Sequence, residues 1–184
     1  MNASDQLKEE HTIIKLVLQI LEKVSQKLDA GEKVDPKHLA QIVDFIRVFA
    51  DRCHHGKEED VLFPELEAAG IPRTGGPVGV MLTEHDTGRG YVRGMAEAST
   101  RYETGNHQAA ASFAKNARGY INLLTQHIDK EDNILYPMGD ARFSAEKQQE
   151  ILVRFERIED ERIGAGKHEE FHELVHRLRD IYLK

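Results

Sequence analysis

The feature that most constrains this chain is a motif written twice. Residues 54–64 read His-His-Gly-Lys-Glu-Glu-Asp-Val-Leu-Phe-Pro, and residues 127–137 read His-Ile-Asp-Lys-Glu-Asp-Asn-Ile-Leu-Tyr-Pro. Aligned on their prolines, the two copies place a histidine four residues before a glutamate: His54 with Glu58, and His127 with Glu131. On a helix, positions i and i+4 share a face about 6 Å apart along the axis, so imidazole and carboxylate at that spacing can converge on one cation. His55 and Glu59 share the spacing but fall one residue out of step with the second copy. Helical arithmetic from Leu39 and Val43 also turns His55 away from the inner face, so the register selects His54. One such pair is ordinarily a solvated helix contact; two copies in one local context are much less expected by chance.

The rest of the chain supplies helices to carry these pairs. Ser4 to Asp29 reads as a helix with the seam Leu7, His11, Ile14, Leu18, Leu21, Ser25 and Leu28, stepping by four and three as a bundle core does. Asp35-Pro36 opens a second helix, which brings Val43, Ile46, Ala50, Cys53, Lys57 and Val61 to one face and is expected to end or kink at Pro64. A Gly- and Pro-rich loop over residues 70–79 precedes a third helix with the seam Met81, His85, Gly88, Val92, Met95, Ser99 and Tyr102. A fourth carries Phe113, Ala117, Tyr120, Leu124, His127, Glu131, Ile134 and Met138. Beyond Gly139 two more polar helices, parted by Gly164-Ala165-Gly166, read as a hairpin packed on the four. The expected fold is all-α: an up-down-up-down four-helix bundle over 1–140, with a helical extension over 141–184.

His11 and His85 stand where a bundle seam wants leucine. Either one alone is better explained as a hydrogen-bonded core residue. Together, four helices bring His11, His54, His85 and His127 to one layer, and two of them add Glu58 and Glu131. Two carboxylates buried without compensation cost several kcal/mol each, and apart from Arg89 no cluster of Lys or Arg occupies these seams to offset them. Cations do. Six protein donors of mixed imidazole and carboxylate exceed a four-coordinate structural zinc site and suit two ions bridged by carboxylates, iron first, with manganese or zinc as alternatives. Tyr120 reads as core. His168, His172 and His176 form an i, i+4, i+8 stripe that reads as a solvated face, with a surface metal site or a lid as the sharper alternatives.

Composition excludes other classes. The net charge is −7 with dispersed basic residues, which gives no nucleic-acid footprint. No apolar run reaches the length of a membrane span, and there is no signal-peptide pattern. A single cysteine, Cys53, excludes an internal disulfide framework and fits a reducing cytoplasm. Homo-oligomerisation is left open.

The order His, His-x3-Glu, His, His-x3-Glu resembles the hemerythrin-like, or HHE cation-binding, domain family. The resemblance spans roughly Leu7 to Asp140, including the Leu-Phe-Pro and Leu-Tyr-Pro endings and the Glu84-His85-Asp86 segment. It implies a non-heme centre of two iron ions, with His11, His54, Glu58, His85, His127 and Glu131 as ligands and the two glutamates as bridges. It also implies a small ligand such as O2, peroxide or NO. Two departures stand out. Oxygen-carrying members have a fifth histidine four residues after the third-helix ligand, where this chain has Arg89. Their fourth-helix pair resembles His-x4-Asp, a variant that only Asp132 would supply. The resemblance therefore implies a less saturated centre that senses, handles iron, or reacts with its ligand. The alternatives are an oxidoreductase acting on peroxide or nitric oxide, and a bundle whose metal is purely structural.

Overall fold

Helix ends are set by residues that cannot continue a helix or that satisfy its first amides. Asp35 accepts a hydrogen bond from the amide of Lys37, and Ser144 does the same for Lys147. Gly164 and Gly166 take φ of 90° and 78°, the left-handed conformation that reverses the chain between the last two helices. The computed structural model describes residues 1–184 and has no strand. Its six helical rods are α1 (Ala3–Asp29), α2 (36–68), α3 (Pro77–Glu103), α4 (108–140), α5 (Ala145–Arg162) and α6 (Lys167–Tyr182). None is long and apolar enough to cross a membrane.

Helices α1 to α4 form the bundle, consecutive rods running antiparallel through short connections. α4 packs between α1 and α3, and α2 packs on α3 and closes on α1. The hairpin α5–α6 covers the α1–α2 side: α5 lies on the middle of α2, and α6 packs along α1 and sets Phe171 against Phe45 and Phe49.

The apolar core is in two parts. A cluster of 28 buried residues fills one end of the bundle, and one of 14 fills the other, closed by Ile151, Phe155 and Ile158 of α5. Between them lies a layer of buried imidazoles and carboxylates. Its charges are sealed at both ends by hydrocarbon, where unpaired charge is most costly.

Two expectations change here, for one reason. α2 does not end at Pro64, and α4 does not keep Ile134 inside. In each rod the glutamate opens a π-helical turn, Glu58–Leu62 and Glu131–Leu135. The amide of Phe63 reaches back five residues to the Glu58 carbonyl, and that of Tyr136 to Glu131. The proline that follows has no amide to place, so the widened turn lets the helix run past it to Ala68 and Asp140. The extra residue shifts the inner face by one position, leaving Ile134 exposed and Leu135 buried. A longer π-helical stretch, Ile46–His55, lies upstream in α2.

Lys57 ties the hairpin to the bundle. Its side chain is fully buried, and its ammonium donates to Glu10 of α1 and, at 2.9 Å, to Glu159 of α5. Lys57→Met is expected to destabilise the protein by about 3 kcal/mol, because it strips a buried carboxylate of its partner. Lys57→Met/Glu10→Gln should recover part of that loss, and urea unfolding of the three proteins measures both.

Candidate metal centre

The layer between the two apolar clusters brings all six sequence-expected residues together: His11, His54, Glu58, His85, His127 and Glu131 are each 2% exposed or less. They fall into two groups. His11, His54, Glu58 and Glu131 form one, and His85 and His127 join Glu58 and His55 in the other; within each, donor atoms lie within 4.8 Å of one another. Glu58 belongs to both. Its Oε2 is 3.3 Å from His85 Nε2 and 3.9 Å from His54 Nε2. Glu131 also spans the groups, with Oε1 3.0 Å from His127 Nε2 and Oε2 3.3 Å from His11 Nε2.

These approaches are close but not angled as hydrogen bonds. Both oxygens of Glu131 and Oε2 of Glu58 are buried with no hydrogen-bond partner. His85 and His127 point Nε2 at Nε2 across 3.1 Å, a contact that at most one proton can serve. Three orphaned carboxylate oxygens and converging imidazole nitrogens are what a cation satisfies, so the residues present fit a metal.

The outer edges of the rings show the same intent. Asp132 faces Nδ1 of His11 at 2.7 Å, Glu10 that of His54 at 2.7 Å, and Asp51 that of His55 at 3.3 Å. Glu59 faces Nδ1 of His85 at 2.7 Å, and Glu84 that of His127 at 3.0 Å. An ionised carboxylate only accepts, so Nδ1 carries the proton and the Nε2 lone pair is aimed inward. The duplication extends to this outer layer. Glu10 and Glu84 precede the lone histidines and hold His54 and His127; Glu59 and Asp132 follow the paired glutamates and hold His85 and His11. Lys57 donates to Glu10 as Lys130 does to Glu84.

The charges follow from this packing. Burial disfavours charged His11, but the hydrogen bond to Asp132 and the nearby Glu131 carboxylate prevail and lift its pKa to about 9. At His85 burial is likewise overcome, by Glu58 and Glu59, and the value rises to about 10. For His55, burial and then the neighbouring His85 push the pKa well below the ordinary histidine range. Burial would raise Glu10, yet His54 and Lys57 bring it to about 2. Without a cation, protons on the inner rings compensate the carboxylates, and metal must displace them.

A family model, the hemerythrin HHE cation-binding domain, matches residues 2–139. The chain belongs to that family. Among its relatives, the iron–sulfur cluster repair protein YtfE of Edwardsiella ictaluri is 34% identical over 120 residues, covering 62% of this chain and 53% of the relative. That of Escherichia coli O81 is 32% identical over 115 residues, covering 61% and 51%. The chain thus spans about half the length of these repair proteins. Uncharacterized protein Rv1995 of Mycobacterium tuberculosis is 26% identical over 181 residues, 98% of this chain and 69% of the relative.

One inward residue of this hemerythrin-like bundle escaped the sequence reading. His55 does not turn away: it is buried, and its ring stacks on that of His85 with centroids 3.9 Å apart. The arithmetic assumed 100° per residue, whereas His55 closes the π-helical stretch, where each residue turns by roughly 80° and neighbours diverge less. The second copy held the missing signal, since its counterpart of His55 is Ile128, which is also buried. Asp132, weighed as a ligand, instead orients His11 and pairs with Lys15 at 2.9 Å. Tyr120 is buried, as expected for a core residue.

Arg89 holds no place in the inner layer. Its guanidinium donates to Asp51 and Glu59, the acceptors for His55 and His85, and to Asp86. Position 89 thus brings no imidazole to the layer, and a fifth one comes from α2 as His55. Arg89→His is expected to weaken metal binding by roughly 10- to 100-fold, the usual effect of losing an orienting layer, rather than to add a ligand. Competition with a coloured chelator measures it.

Proposed function

We propose that this protein binds two iron ions between Glu58 and Glu131 and uses them to meet a small ligand such as O2, peroxide or NO. The observation carrying this reading is that both glutamates span the two donor groups while three of their oxygens have no partner. His11 and His54 would hold one ion, and His55, His85 and His127 the other. Counting the shared glutamates, each ion has fewer protein donors than the six positions of an octahedral centre, which leaves room for an exogenous ligand. Mixed imidazole and carboxylate donors favour iron, as do the family and the relatives named for iron–sulfur cluster repair. Manganese and zinc are the alternatives.

Bound iron would supply Lewis acidity and redox chemistry toward the ligand. The chain supplies the rest. The two apolar clusters exclude water, the outer carboxylates fix each ring, and the near-complete burial of the layer admits only a small molecule. One observation favours a second reading, reduction of peroxide or nitric oxide. The Tyr136 hydroxyl donates to Glu58 Oε1 at 2.5 Å and lies 3.5 Å from His11 Nε2. Burial and the charges of Glu131 and Glu58 keep this phenol protonated, so it is a donor held inside the layer. We take residues 1–140 as the metal-binding unit, 141–184 as its extension, and the reducing cytoplasm as its setting.

Metal analysis of iron-loaded protein should find two ions per chain. Glu58→Ala and Glu131→Ala should each lower both, and His55→Ala should lower one. Loss of a single ion in both glutamate variants would mean separate sites. Stopped-flow mixing with oxygen, peroxide and nitric oxide tests reactivity; retained metal inert to all three would make its role structural. Tyr136→Phe should slow the peroxide reaction at an unchanged metal count, if the phenol donates.

A further inference from the structure

Outside the buried layer, the stripe noted in α6 meets α1 and α5 at a pocket of about 190 Å³ lined by Gln6, Glu9, Glu10, Glu159, His168 and His172. No lining residue is apolar, unlike an ordinary gap between packed helices. The rings of His168 and His172 lie one helical turn apart with centroids 4.7 Å from each other. They pack beside Phe49 at 5.1 and 6.0 Å, and none of their four nitrogens makes a hydrogen bond or ion pair. Glu9 likewise has no partner, and Glu159 uses only Oε2, for Lys57. Both oxygens of Glu10 are taken, by Lys57 and His54, so it forms the floor. Three carboxylates thus face one ammonium, and the pocket's field favours a cation.

We propose that this pocket is a separate site for a divalent transition-metal ion, held by His168, His172 and Glu159 with Glu9 closing the mouth. Two imidazoles and a carboxylate form a donor set suited to such ions rather than to calcium or magnesium, which take oxygen ligands. The site is distinct from the buried centre and shares no ligand with it; Glu10 and Lys57 stand between the two. Both imidazoles come from α6 of the hairpin, and the bundle contributes only Gln6, Glu9 and Glu10.

Titrating full-length protein with Zn2+ in a calorimeter, its buried centre already filled, tests the site. Native protein should bind one further ion, lost in His168→Ala/His172→Ala and weakened in Glu9→Gln, which alters an exposed side chain and leaves the packing on Phe49 untouched. A Glu131→Ala variant should keep this ion while losing the buried ones, which separates failure of this site from failure of the buried centre. Absence of a further ion from native protein, or equal ion counts in native protein and the double-histidine variant, would overturn the proposal.

Discussion

Two glutamates placed in a hydrocarbon-sealed layer, with three of their four oxygens lacking a hydrogen-bond donor, set the terms for the rest of this molecule. A carboxylate there must be compensated, and water is shut out by apolar clusters on both sides. Five imidazoles surround the pair, five further carboxylates fix those imidazoles, and Lys57, Lys130 and Arg89 balance the outer carboxylates. Charge alternates outward in layers, from inner acid to ring to outer acid to base. Every layer is positioned by a helix packed for other reasons, so the bundle and the centre are one design.

The layers repeat. α1–α2 and α3–α4 carry the same sequence of parts, Glu-His on the first helix of each half and His-x3-Glu-acid on the second. The two halves are equivalent except at two inner positions. His55 stands where the other half has Ile128, and Tyr136 where it has Phe63. Phe63 stacks on His85 as Tyr136 stacks on His11, so that exchange changes no packing and adds one hydroxyl. The extra imidazole falls on one side and the hydroxyl on the other, which makes the two donor groups chemically unlike within a symmetric frame.

Most of this was legible in the sequence. The four-and-three seams of α1 and α3 are buried as written, apart from half-buried Tyr102; the repeated motif located four of the six inner residues and the lone seam histidines the other two. What escaped was local geometry. A straight α-helix was assumed where α2 and α4 widen, so His55 was turned outward and Ile134 inward, and Pro64 was read as an end or a kink where the helix in fact continues. Proline following an aromatic residue after His-x3-Glu was the available sign of a widened turn. The role of Arg89 was hidden for another reason: its partners Asp51 and Glu59 come from α2, and one-helix spacing does not reveal pairing between helices.

The hairpin seals one flank of a structure whose other flank is bare. Lys57 and Lys130 make the same contact with corresponding glutamates, yet Lys57 is wholly buried under α5 while Lys130 is 37% exposed. The segment matching the family ends at residue 139. Cut there, the chain would leave an ammonium shaped for burial facing solvent and Glu10 half-uncovered behind His54. The boundary drawn by homology and the boundary drawn by energetics are therefore different lines, and the inner layer stands as built only inside the second.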